Sequence, residues 1–420
     1  MKKLIFGVSF VTACGLAWQM AAVKLPAPYA TPSSTNRAQV IDKPNGAKLT
    51  LPAGFSIAEY ATDFNRPRYM LQGASGEVLL TDSVESGKVI LLFDKNKDFV
   101  ADSRRELITG LDRPYGMAFH KGYLYVAETT SLKRYKYDNK AMTVGAGEEV
   151  VKMPDYGKGH WTRTIAFDSK GKLYLGVGSA SNVDHGEPKM RAAISRMNDD
   201  GTGQEIFATG TRNPTSIRFY PGSDTLWSAV QERDGLGDDL VPDYLTSIKQ
   251  GGFYGWPYAY IGPNADPRRT ENAAIVKTAI VPDVVLGAHV AVLDFLPYTG
   301  KQFPAEYRNG VFVAQHGSWN RSQRTGYNVM FVPFKDGKPS GPAKQFLGGW
   351  MLSATQREVW GRPVGFLQLA DGSLLVTDDG GNKIWRISYK GEPTGLPVGH
   401  IPVLLAPHSY RCGLVRPGCC

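Results

Sequence analysis

Six stretches of this chain follow one plan, and that repetition narrows the possible folds more than any other feature. In each, a loop marked by Pro or polar residues leads into an alternating apolar strand and a Gly turn. A second strand ending in a polar residue follows, then a third strand. The first unit runs from Asn65-Arg66-Pro67 through 77–81 to 89–93, and the second from Asp112-Arg113-Pro114 through 117–119 and 123–127 to 132–137. The third follows His160, with strands over 164–167, 173–177 and 193–197. The fourth starts at Arg212, with its outer strand near 244–248. The fifth begins near His289, continues over 310–314 and closes over 327–333; the sixth runs from Gly361-Arg362-Pro363 through 373–377 to 383–389. Successive units lie about 50 residues apart early and about 75 later, near the spacing of a four-stranded blade plus inserted loops. The expectation is an all-β, six-bladed β-propeller with four-stranded blades. A β-sandwich would also suit the alternation and the Gly turns but gives no reason for repeated units. A length of 420 residues, with 47 Gly and 27 Pro, agrees with a core shared among many short strands.

The propeller is expected over 49–391. Before it, Lys2-Lys3 and the apolar run 4–13 have the layout of a secretory signal peptide over 1–22, which predicts export to the periplasm. Val11-Thr12-Ala13-Cys14 also matches a bacterial lipobox, so two readings stand: lipidation and membrane anchoring at Cys14, or cleavage near Ala21 or Ala22. Residues 23–48, rich in Pro, Ser, Thr and Ala, read as a tether, and 392–420 as an irregular tail. Cys412, Cys419 and Cys420 all lie in that tail, so the propeller body holds no disulfide. The formal charge of +9 suits either a basic surface or local cationic pockets. No Lys/Arg cluster is dense enough to point to nucleic acid.

Residues 210–257 carry an unusual density of charge, turns and aromatics. Arg212-Asn213-Pro214 stands at a strand entry, Gln231-Glu232-Arg233-Asp234 opens a long polar loop that ends in Asp238-Asp239, and Gly252-Phe253-Tyr254-Gly255-Trp256-Pro257 follows. With Gln315-His316-Gly317-Ser318-Trp319-Asn320-Arg321 and Gly361-Arg362-Pro363-Val364-Gly365, these motifs resemble the soluble quinoprotein sugar dehydrogenases, most closely the sorbosone dehydrogenase-like branch. The resemblance covers about 51–389 and is specific in those stretches only. It implies six-bladed propellers that hold pyrroloquinoline quinone (PQQ) and calcium.

Equivalent loops of all blades meet at one end of a propeller channel, so the unit entries supply the candidates. They are Arg66, Asp112, His160, Arg212 with Asn213, His289 and Arg362, joined by His316 and Arg321 from the turn inside the fifth unit. Taken alone, a lone His is more often structural and a lone Arg more often a surface ion pair. The resemblance makes His160 the general base. Some relatives carry Asp just before that His; here the position is Gly159, so any partner that orients the ring must come from elsewhere. Arg212 and Asn213 match the cofactor-binding pair. Arg362 matches the second of two arginines near the last blade, the first falling at Trp360. Arg321 and His316 occupy the stretch where relatives supply a lysine. The metal would take main-chain oxygens around Glu232, Arg233 and Asp234. Asp112, Tyr254, Trp256 and His289 are the candidates for a sugar cleft.

The resulting expectation is an exported PQQ-dependent dehydrogenase of an aldose or related aldehyde, with an external quinone or cytochrome as electron acceptor. Two rivals stand beside it. A calcium-dependent lactonase would need acidic and amide ligands converging from several blades. A non-catalytic propeller that binds glycan or protein would need neither feature.

Overall fold

The computed structural model describes residues 24–157 and 159–391, and is almost entirely β. The signal peptide, Cys14 and the Cys-containing tail lie outside the described residues. Six sheets form the blades of a propeller, each with four antiparallel strands, the third extended by the short parallel strand Gly252–Phe253, and their innermost strands close a ring around the axis. These inner strands are Pro67–Gln72, Met117–His120, Arg163–Phe167, Asn213–Phe219, Val292–Pro297 and Pro363–Gln368. Each runs from the same end of the channel, so every unit entry opens on one face.

The polar residue at the end of the second strand has a physical purpose that recurs. Asp82 accepts from the backbone N–H of Asn65 and Arg66, Glu128 from that of Asp112 at 2.8 Å, and Asp378 from that of Arg362 at 2.7 Å. Each carboxylate satisfies donors that an entry loop cannot pair within a ladder. The prolines at 67, 214 and 363 stand where the inner-strand register shifts, positions at which a missing N–H costs no ladder bond.

Two elements depart from the sequence expectation. In the fourth blade, Pro242–Ser247 is the third strand rather than the outermost. The outer strand is Val284–Ala288, which lies beyond the inserted loop. The sixth blade takes its outer strand from the other end of the chain: Phe55–Ala61 pairs antiparallel with Lys383–Tyr389. This closure rests on Phe55, whose ring meets Phe303, Phe346 and Tyr389 at 4.8, 5.0 and 4.9 Å. Such pairs contribute about 0.5–1.5 kcal/mol each beyond area burial.

Residues 24–48 are docked rather than loose. Gln39–Val40 pairs in parallel with Glu358–Val359, and the Asn36 amide donates to the carbonyls of Arg321 and Ser322. Tyr29 N–H donates to Leu236 O, and Thr31 Oγ1 accepts from Asp238 N–H. The composition of this stretch gives it no core of its own, so it borrows one as a strap over the loops of the fourth, fifth and sixth blades.

Below the entry face an ion pair fills the axis, with Asp294 buried and Arg218 partly exposed. Arg218 meets Asp294 at 2.8 Å, and Ser216 Oγ and Phe366 N–H donate to the same carboxylate. Arg218, Asp294 and Phe366 come from three blades, so this plug ties them together at the centre.

Candidate active site

His160 sits at the mouth of the third blade. Its Nδ1 lies 2.8 Å from Ser179 O and 3.1 Å from Ser179 Oγ, which itself donates to Ser181 O. A carbonyl only accepts, so Nδ1 carries the proton and Nε2 is left with a lone pair. Burial first, then the nearby Arg212 charge, pulls the His160 pKa down to about 3, so the ring is neutral at physiological pH. Ser179 thus supplies the orienting partner that the residue before His160 does not. Nor could Asp stand at 159: Gly159 has φ +75°, and a Cβ there would lie 2.4 Å from the Ala180 backbone. The loop itself is held from behind, where the Arg163 guanidinium donates to His160 O at 2.8 Å and to Tyr156 O at 2.7 Å.

Arg212 and Asn213 reach the same place. Ser179 N–H donates to Arg212 O at 2.8 Å, and a Cβ on Gly178 would fall between His160 Cβ, at 2.6 Å, and Asn213 Oδ1, at 2.3 Å. The Arg212 guanidinium donates to Glu232 O at 2.6 Å and to Asn182 Oδ1 at 3.1 Å, and pairs with Asp234 at 3.4 Å. Asp234 in turn accepts from the Asn320 amide at 2.5 Å and lies 3.7 Å from His289 Nδ1. Burial opposes its charge, but His289, Arg212 and Asn320 hold its carboxyl below the usual range.

From His289 the contacts continue around the axis. Val290 O accepts from Gly317 N–H, and His316 Nε2 meets Asp379 at 2.7 Å. Asp379 pairs with Arg68 at 2.5 Å, and the Arg68 guanidinium lies 5.2 Å over the ring of Trp161, the neighbour of His160. Arg362 joins beside His316, donating to His316 O and Gly317 O at 3.0 and 3.1 Å. The loop of contacts is closed and encircles the channel mouth.

The ring is short of negative charge. Arg68 and Arg212 are buried and Arg362 nearly so, against the carboxylates of Asp234 and Asp379. Among the described residues, no carboxylate lies within ion-pair distance of Arg163 or Arg362, and burial pulls Arg163 down to about 9 and Arg362 below its ordinary value. Asn213 Oδ1 is buried without a partner. Buried guanidiniums with too few counter-ions mark a site shaped for an anion.

The family model described as TrAA12-like matches residues 49–243 and 245–390. The chain belongs to the TrAA12-like family. An uncharacterized protein of Borreliella burgdorferi is 30% identical over 358 residues, 81% of this chain and 91% of that protein. A pyrroloquinoline quinone-dependent pyranose dehydrogenase of Coprinopsis cinerea is 24% identical over 71% of this chain and 43% of its own length. Among solved structures, that of a Trichoderma reesei carbohydrate-active enzyme of family AA12 superposes with a TM-score of 0.71 at 22% identity, covering 84% of this chain and all of the other. The PQQ domain of the Coprinopsis cinerea pyranose dehydrogenase superposes at 0.68 and 19%, covering 83% and 98%. The sequence resemblance to quinoprotein sugar dehydrogenases and the six-bladed fold both stand.

Against this family frame, not all candidates converge. His160, Arg212, Asn213, Asp234, His289, His316 and Arg362 share the ring. Asp112 is at the entry of the second blade, partly exposed and paired with Arg113 at 3.1 Å. Arg66 offers the ring only its backbone, donating to Asp82. Arg321 turns outward to Asp238 O and the Asp239 carboxylate. Tyr254 is fully buried, its hydroxyl donating to Ser247 O at 2.6 Å, so it packs between blades rather than lining a cleft. Trp256 stands behind the ring, its indole N–H donating to Asn182 O at 2.8 Å.

In the loop 232–234, two of the three main-chain oxygens already accept hydrogen bonds. Glu232 O is taken by Arg212, Asp234 O accepts from Arg268 at 2.8 Å and Asn182 at 2.9 Å, and the Arg233 guanidinium is locked to Glu232 and Asp266. A dication would sit beside two guanidiniums. Among the described residues, no group of three or more His, Cys, Asp or Glu side chains is disposed to hold a metal. Reading by units missed Arg68, Ser179, Asn182, Arg268 and Asp379. Asp379 directly follows the polar residue that ends the sixth unit's second strand, a usable signal. Arg268 lies in the insertion, which carried none.

Proposed function

We propose that the protein is a PQQ-dependent sugar dehydrogenase that oxidises an aldose or a related aldehyde. The observation that carries this reading is a neutral imidazole with a free Nε2 facing a ring of buried guanidiniums in excess of their carboxylates. That donor set suits a flat tricarboxylate. Arg212, Asn213 and Arg362 would hold it through charge-assisted hydrogen bonds, and Arg68 and Asp379 would brace them. When bound, the quinone supplies a two-electron hydride acceptor.

The chain's own part is proton chemistry and placement. His160 Nε2 takes the proton of the substrate hydroxyl as the C–H bond of the same carbon is broken, and Nδ1–H stays pinned on Ser179 O. Pinning fixes both tautomer and ring plane, so Nε2 points at one spot. The sugar lies between His160 and the partly exposed Asp234. No step here needs a metal. Calcium remains part of the family expectation, and the main-chain oxygens of 232–234 would hold it. Export, with either a lipid anchor at Cys14 or cleavage near Ala21 or Ala22, belongs to the same proposal, as does an external electron acceptor.

Reconstitution tests it: the purified protein is titrated with PQQ, and dye reduction is followed over a panel of aldoses. Binding with sugar-dependent reduction supports the reading. Lactone hydrolysis with no dye reduction would favour the lactonase instead.

A further inference from the structure

Three exposed apolar side chains stand on segments that are paired or hydrogen-bonded to one another beside the ring. Val40, Trp319 and Leu352 are 47%, 37% and 44% exposed. Val40 pairs with Val359, Met351 bridges to Val359 on its other side, and Leu352 follows. The Arg37 guanidinium lies 5.0 Å over the Trp319 ring, and Arg357 Nε donates to Arg37 O at 3.0 Å. Arg37, Lys43 and Arg357 are exposed around this apolar centre, and the strap 24–48 holds Lys24, Arg37, Lys43 and Lys48 against the single carboxylate of Asp42. An apolar spot within a cationic rim is complementary to an acidic protein with a small apolar contact, as in transient redox encounters of below roughly 1,200 Å².

Its place gives the contact a purpose. Trp319 precedes Asn320, which holds Asp234, and Lys43 lies 5.6 Å over the ring of Trp360, two residues before Arg362. The patch is therefore joined to the ring by two short routes through the protein.

We propose that this patch docks an acidic one-electron carrier protein, an inference that rests on the dehydrogenase reading above. Each sugar oxidised releases two electrons and two protons. Two oxidised carriers take one electron each, and the protons pass to solvent.

The test begins with the protein free of added quinone, titrated with an acidic plastocyanin and with a basic cytochrome c as probes. Plastocyanin is expected to bind, with affinity that drops steeply as salt rises, and cytochrome c to bind at least tenfold more weakly. Arg37→Glu with Arg357→Glu should weaken plastocyanin binding tenfold or more, and Leu352→Ser several-fold, with melting temperatures unchanged. In the PQQ-loaded protein these variants should reduce a small dye at the parent rate and plastocyanin more slowly. Absence of plastocyanin binding, equal binding by the charge-reversed variant, or binding confined to phosphatidylglycerol vesicles would overturn the docking site. Absence of dye reduction in the parent would instead overturn the dehydrogenase reading and leave the binding result to judge the patch.

Discussion

At the residue scale the decisive atom is Nε2 of His160, because its partner Nδ1 is already spent on Ser179 O. Replacing His160 with Ala should cut turnover by about 10²–10⁴-fold, the usual contribution of a positioned base, while PQQ affinity measured by calorimetry stays near that of the parent. Retained turnover would exclude it as the base. Gly178→Ala makes a subtler test, because the new Cβ would press on both His160 and Asn213. The expected outcome is a folded protein, by circular dichroism, with turnover lowered about tenfold or more, since small misplacements at a reacting centre are costly. The pH behaviour follows from the sign of the shift. A ring with a folded pKa of about 3 is unprotonated above that value, so the imidazole signals of His160 should not titrate near 6.5 in an NMR titration of the quinone-free protein. His316 is also pulled down to about 3, chiefly by burial. Both rings bind protons more readily unfolded, so their contribution to stability is full above about 6.5 and is lost as pH falls from there toward about 3.

At the element scale, closure of the sixth blade by Phe55–Ala61 is what turns a row of sheets into a ring. Phe55→Ala removes the ring at the centre of the aromatic cluster and should cost about 3 kcal/mol, read as a lower melting temperature. The strap makes a separate prediction. Removing residues 24–48 frees the 235–240 and 319–324 loops that present Asp234 and Asn320, so hydrogen exchange in those loops should rise while the blades stay protected. The repeat plan made the inner three strands of most blades legible, because period-2 alternation and Gly turns are local signals. The outer strands at 55–61 and 284–288 were not legible as blade members. Their pairing partners lie far away in sequence, and nothing within either segment names its partner.

At the scale of the whole molecule, Arg218 and Asp294 hold the axis below the site. Asp294→Ala would leave the partly exposed Arg218 without its counter-charge and Ser216 and Phe366 without their acceptor, at a cost of about 3 kcal/mol, visible in a denaturant midpoint. The sequence alone determined the blade count and placed His160, Arg212, Asn213 and Arg362 at loop entries on one end of the channel. These follow from a repeated local pattern, which a propeller converts directly into position. Tertiary structure alone decided that Ser179 sets the tautomer of His160, that Arg321 and Tyr254 turn away, and that Arg68 and Asp379 complete the ring. It also decided that residues 24–48 bind across the rim. Each of these depends on which side chain reaches which partner across blades, and that is fixed by closure of the ring rather than by any neighbour along the chain.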